Sequence, residues 1–329
     1  MTEQKLLGFA KFRELGLVLF IVILSIAVQI RNQEFLTVNN MRNLFTNTAI
    51  LGILSVGMMM VLLTGGIDLS IGATIAFSGM VSAMTVKVYP GIPTVILVLE
   101  SSFIGAAVGL VIGILVARFS ILPIIASLGM MNVMRGMTYL VSGGAWVSAY
   151  QMPDSFKRMA TNRFLGINNL IVIAIVVYVL FFYFINYTRT GRRIYAIGSN
   201  REASDIIGLP SKQIITLVYI LMGFLAGLCG VLWVSKFASA QGDTAAGYEM
   251  SVIASCVLGG VSVSGGRGKV AGLVLGVILF GILANALPLI NVSPFWQQAI
   301  QGFVILAAII INVVIKRNNN RANLRQRVI

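Results

Sequence analysis

Four ionisable side chains stand inside or at the edge of long apolar runs: Asp68, Glu100, Arg135 and Glu249. A charge placed in hydrocarbon is costly, so such residues mark polar paths, relays or buried ion pairs. The chain has no histidine, and its two cysteines, Cys229 and Cys256, both lie in apolar runs. That removes the usual zinc sites and every nucleophile arrangement built on a Ser–His or Cys–His pair. The cysteines read as small buried hydrophobes. No catalytic residue, metal site or cofactor on this chain is expected, which leaves binding and moving a solute.

The elements that must position these residues follow from composition. Across 329 residues the chain is 58% hydrophobic and 10% charged, with a mean hydropathy of +0.94. An ordinary soluble domain is about a quarter charged. The lipid bilayer is the natural solvent for this sequence, and soluble enzyme folds are excluded first. A crossing helix needs about 20 mainly apolar residues. The candidates are Leu15–Ile30, Asn43–Thr64, Leu69–Val86, Thr94–Ala117, Ile121–Val141, Ile167–Tyr187, Gln213–Val234, Met250–Val263, Val270–Leu287 and Phe295–Ile315. The expected fold is an all-α polytopic membrane protein of about ten helices, forming one transmembrane domain over 1–329. The eighth candidate is short and ends in glycines, so a broken or re-entrant helix is expected there. The first is followed by Gln29, Ile30 and Arg31 rather than a small-residue cleavage site, and reads as a retained span.

The formal net charge of +14 would suggest nucleic acid in a soluble protein. Here the basic residues fall between apolar runs, so the positive-inside rule accounts for them. With the N-terminus inside, sixteen Lys and Arg occupy inside segments and seven occupy outside ones. Both termini are therefore expected in the cytoplasm, with short tails over 1–14 and 316–329.

Small residues recur one turn apart: Gly105, Gly109 and Gly113; Gly223 and Gly227; Gly268, Gly272 and Gly276. Such stripes let helix backbones approach closely in lipid. Gly266–Ala271 matches the dinucleotide fingerprint formally, but it follows no soluble strand and is discounted. The same region lacks the first glycine and the Ser/Thr of a P-loop, so ATP binding by this chain is not expected. Two stretches, Gly65–Gly72 and Gly259–Gly266, share the pattern Gly-Gly-apolar-x-apolar-Ser-x-Gly. They fit broken helices beside a substrate path, tight turns between spans, or an internal duplication. Glu100 lies six residues past the outer start of its span, and Arg135 six before the outer end of the next. Similar depth suggests an ion pair between them, with Arg135 lining a polar path as the rival reading.

The segment 188–212 is expected on the inside. Ser199 and Glu202 have capping-box spacing, Gly208 supplies a helix stop, and Pro210 follows it. A short helix, roughly Asn200–Ile207, is predicted. A plain linker needs no capped helix; a docking surface for a cytoplasmic partner does. Arg192, Arg193, Ser199, Arg201, Glu202, Ile206, Ile207 and Gly208 are its coupling candidates.

On Gly65–Gly72, Leu128-Gly129 with Arg135-Gly136, the loop Thr190–Gly208, and Tyr248-Glu249 leading into Val257–Gly260 and Gly265–Gly268, the chain resembles the permease subunits of bacterial ABC importers for monosaccharides. That is the ribose/xylose/galactose-type branched-permease family, and the resemblance covers roughly Phe35 to Ile315. It departs at Val261-Ser262, where members usually carry Thr or Ala, a change that could adjust substrate choice. The resemblance implies a second permease copy or paralogue, cytoplasmic ATP-binding subunits that hold ATP-Mg, an extracytoplasmic sugar-binding protein, and a bacterial inner-membrane location. A path with few charges suits uncharged hydroxylated substrates. Asp68, Ser70, Asn132, Arg135, Glu249, Asn285 and Gln297 are the substrate-pathway candidates. A gradient-driven secondary transporter is the alternative, and it would need midplane proton carriers that are scarce here. An intramembrane enzyme would need His, Cys or paired-Asp centres that are missing.

Overall fold

The computed structural model describes residues 3–293, 295–303, 306 and 310, with side chains described from residue 14 onward. Its helices are α1 (Glu3–Arg31), α2 (Val38–Leu63), α3 (Ile71–Val88), α4 (Thr94–Ala117), α5 (Pro123–Ser142), α6 (Asp154–Thr161), α7 (Asn169–Tyr187), α8 (Arg189–Ser199), α9 (Arg201–Ile206), α10 (Ser211–Phe237), α11 (Tyr248–Leu258) and α12 (Val270–Leu289). A further helical stretch covers 295–303. Two residue pairs, Arg163–Phe164 and Ile167–Asn168, make a small antiparallel ladder. Among the described residues, eight helices are long and apolar enough to cross a membrane. The protein is an all-α polytopic membrane protein. The tenth expected span begins within 295–303, and most of it, with the 316–329 tail, lies outside the described residues.

Local chemistry sets the helix ends. Thr37, Asn168, Thr188 and Asn200 cap α2, α7, α8 and α9 by accepting a backbone N–H in the first turn. Pro123 opens α5, where its missing N–H costs nothing. Pro288 sits in the last turn of α12, which ends at Leu289 before the helical stretch at 295–303. The N-terminal segment is helical from Glu3.

The core is built on α2, whose residues from Thr48 to Leu63 are all buried, and on the α4–α10 pair. The glycine stripes act where expected. A Cβ at Gly105 would collide with the Gly223 carbonyl, one at Gly109 with Tyr219 O, and one at Gly227 with Ser101 O. In lipid no water is displaced when helices meet, so this close backbone packing holds them together. Cys229 and Cys256 are fully buried.

α11 has 11 residues, about 16 Å of helix, far short of the roughly 30 Å hydrocarbon core. It does not cross alone, and the chain before it dips into the bundle from the face opposite α8. On that face Val147 and Ala240 form an antiparallel bridge. The α8 face gathers the end of α2, the loop 259–269 and Glu14 of α1, whose Oε1 meets Lys269 Nζ at 3.0 Å.

Candidate translocation site and coupling surface

α2 stops at Gly65, which adopts φ +79°. Gly65 N–H donates to Leu62 O and Gly66 N–H to Val61 O, the paired bonds of a Schellman stop. Five residues without helical structure follow before α3 begins at Ile71. Their backbone is unsatisfied by any helix and must find other partners. Asp68 supplies them: its Oδ1 accepts Ser70 N–H at 2.8 Å and Ser70 Oγ–H at 2.7 Å. Tyr219 and Ser127 donate to Ile67 O, both at 3.4 Å. Asp68 is only 1% exposed.

The second wall comes from the dipping segment between α10 and α11. Arg135, the thirteenth of twenty residues in α5, donates from Nη1 to Gly242 O at 2.9 Å and to Thr244 O at 2.7 Å. Tyr139, one turn on, lies against Gly242. The buried Glu249 starts α11, and its Oε2 stands 2.6 Å from where a Gly72 Cβ would project. Glu249 and Asp243 are among the charges acting on Arg135. The starts of α3 and α11 therefore meet beside the arginine clamp.

Four of the seven pathway candidates, Asp68, Ser70, Arg135 and Glu249, gather here. Asn132 lies one turn before Arg135 but is exposed and bonds to Leu128 O on its own helix. Asn285 belongs elsewhere, in a reciprocal amide pair with Asn40 at 3.0 and 3.1 Å between α2 and α12. Gln297 donates to Val292 O, apart from the cluster. Sequence reasoning missed Tyr219, Ser127 and the Gly242 and Thr244 carbonyls. Tyr219 looked like one more aromatic in an apolar run, and carbonyls leave no mark in residue type.

The expected Glu100–Arg135 ion pair does not form. Glu100 Oε1 accepts from Thr85 Oγ1 at 2.9 Å, and its Oε2 is buried without a hydrogen-bond partner. Arg135 turns to backbone carbonyls instead. Equal sequence distance from a span's end fixes depth, but not azimuth around the helix axis.

The coupling segment differs from expectation as well. Ser199 is the last residue of α8, and Asn200 caps α9 by accepting Ala203 N–H at 2.9 Å, so Ser199 and Glu202 form no capping box. Asn200 wins because its own extended backbone separates two helices, one of which the sequence reading did not foresee. Gly208, at φ +77°, closes α9 with the same Schellman bonds seen at Gly65. Ile206 and Ile207 are 80% and 73% exposed, and Arg201 and Glu202 are exposed beside them. α8 is seated: Gly191, Ile194 and Ile197 are buried, while Arg192 and Arg193 lie on its other face. Gly198 is wedged against Leu63 O and Gly266 N, and Gly266 N–H itself donates to Leu63 O at 2.9 Å. Tyr195 donates to Gly268 O at 2.8 Å. Burial raises the Tyr195 hydroxyl above its ordinary pKa, which keeps it a donor.

A helical bundle with two broken segments around a buried polar cluster, and a seated helix pair on one face, defines a membrane permease. The chain belongs to the family described as "Branched-chain amino acid transport system / permease component", whose model matches residues 40–309. It is 35% identical over 320 residues to the ribose import permease protein RbsC of Escherichia coli, covering 95% of this chain and 99% of the relative. The ribose import permease of Bacillus subtilis is 37% identical over 313 residues, 94% and 96% of the two chains. The L-arabinose transport system permease protein AraH of Escherichia coli is 33% identical over 303 residues, 90% and 89%. No solved structure matches the chain.

Proposed function

We propose that this chain is the membrane-spanning permease subunit of an ATP-driven importer for a monosaccharide, working in a bacterial inner membrane. The observation that carries the reading is the convergence of Asp68, Ser70, Arg135 and Glu249 at the meeting of two helix starts. Opposite charges and non-helical backbone carbonyls placed there offer hydrogen bonds to hydroxyl groups without a large net field. The relatives named for ribose and L-arabinose support a pentose or a similar polyhydroxylated solute. Cytoplasmic ATPase subunits would dock on α9 through Ile206 and Ile207, with Arg201 and Glu202 at the rim and Gly208 fixing the exit. α8 then carries the push inward through Gly198 and Tyr195. A second permease copy or paralogue and an extracytoplasmic binding protein complete the assembly. The sixteen inside basic residues support both termini in the cytoplasm.

The test is uptake of labelled ribose and L-arabinose by proteoliposomes holding the assembled complex, with ATP inside and loaded binding protein outside. Uptake that requires ATP is expected, and Ile206→Asp should abolish it while the protein remains inserted. Uptake by this polypeptide alone, driven by a proton or sodium gradient, would overturn the reading.

A further inference from the structure

The outward face of α8 carries a feature the transport reading does not use. Arg189, Arg192, Arg193 and Ala196 follow the i, i+3, i+4, i+7 rhythm that places side chains on one helical stripe, opposite Gly191, Ile194 and Ile197. With Leu209 they line an open cleft of about 410 Å³. Among the described residues none of the three arginines pairs with a carboxylate; Arg192 only reaches Tyr187 O at 3.5 Å. Three guanidinium groups facing one cleft repel one another unless an anion joins them.

Depth selects the anion. α7 ends at Tyr187, and α8 starts two residues later, so the arginines stand where a span leaves the membrane. Tyr183 and Tyr187 stack with centroids 5.7 Å apart, and Phe182 meets Tyr187 edge-on at 6.0 Å. All three rings are exposed. An exposed aromatic group at a helix end marks the headgroup boundary of the bilayer. Leu209 and Ala196 add an apolar floor beside the charges. We infer that this cleft binds the phosphodiester headgroup of an anionic phospholipid such as phosphatidylglycerol, its acyl chains running along the α7 aromatic group. Basic pockets at the membrane surface are suited to such headgroups. This assignment moves Arg192 and Arg193 from partner docking to lipid contact, while α9 keeps the partner-facing role.

The full chain in phosphatidylcholine nanodiscs, titrated with phosphatidylglycerol and read by native mass spectrometry, tests it. The parent should retain one phosphatidylglycerol molecule that Arg189→Gln/Arg192→Gln/Arg193→Gln releases. Apparent affinity should fall by roughly a hundredfold, at about fivefold per arginine. Each single substitution should show its own share, which keeps the test sound if the triple variant accumulates poorly. Arg201→Gln, on α9 outside the cleft, should leave retention unchanged. Dissolved glycerol 3-phosphate should not displace the lipid, since it lacks the chains. Equal retention by parent and the arginine variants would overturn the inference. So would displacement by glycerol 3-phosphate, or a triple variant that keeps its lipid but loses the co-expressed ATPase subunit.

Discussion

Gly65–Gly72 and Gly259–Gly266 carry the same residue pattern, and the structure shows how far that likeness extends. Position x of the pattern makes the same local bond in both: Asp68 Oδ1 accepts Ser70 N–H at 2.8 Å, and Ser262 Oγ accepts Ser264 N–H at 3.2 Å. Each stretch also follows a Schellman stop, with Gly65 and Gly260 in the left-handed region at φ +79° and +80°. These glycines are offset by one position in the shared pattern, the first glycine in one case and the second in the other. The first stretch then climbs into the bundle, where Asp68 and Ser70 are buried, while the second leaves Val263 and Ser264 exposed on the α8 face. A shared pattern therefore specifies a helix stop and a turn, but not a depth. The two stretches still touch, through Gly266 N–H to Leu63 O and through Gly198 between them.

The largest expected effect breaks that contact. Gly198→Val has backbone on both sides, Leu63 O and Gly266 N, and cannot relax by rotating a side chain. The cost should exceed about 3 kcal/mol, the upper end of ordinary overpacking. Recovery of folded protein from membranes should drop steeply, and a parent-like melting temperature would show that the two stretches are not locked together. Next, Asp68→Ala strands buried donors and should cost about 1–3 kcal/mol, whereas Ser262→Ala, the same position of the pattern at the surface, should stay within about 0.5 kcal/mol. Equal losses in thermal unfolding would erase the distinction in depth. Gly65→Ala and Gly260→Ala should each cost about 1–2 kcal/mol, because both place a Cβ in the left-handed region whatever the depth. Clearly unequal costs would mean that the stops are not equivalent.

The smallest effect lies far from either stretch. Lys157 Nζ meets Asp154 Oδ1 at 2.8 Å on the solvent-facing side of α6, and this contact holds the Asp154 carboxyl below its usual range. A depressed acid stabilises the fold above its unfolded pKa, so the contribution fades as pH falls through the folded value, below about pH 4. Lys157→Ala should leave the melting temperature at neutral pH within measurement scatter, as exposed pairs usually do. A clear drop there would mean that α6 is held by this pair as well as by its buried Phe156 and Ala160.

Helix type, most span positions and the packing role of the glycine stripes were legible because hydropathy and small-residue spacing act along one chain. So was the broken eighth segment, whose 11 helical residues are bounded by the glycines that mark it. Gly208 was readable as a stop for the same reason. The Glu100–Arg135 pairing was not, since azimuth depends on which helices become neighbours. α8 was missed because its short amphipathic run, Arg189–Ser199, gains stability from seating on the ends of α2 and α7, and local propensity does not report that. The approach of Glu249 to Gly72, 177 positions apart, is a purely tertiary fact.

That convergence has an electrical side. α3 and α11 both begin at the cluster, so two helices turn their amino ends, each worth about half a positive charge, toward one point. Together with Arg135 they nearly balance the carboxylates of Asp68 and Glu249 if both are ionised. A path whose narrow polar zone is close to neutral gives a sodium ion or a proton no well to rest in, while dipolar hydroxyl groups still find oriented partners. Were the sugar path to run through it, such a zone would pass the solute without short-circuiting the membrane potential.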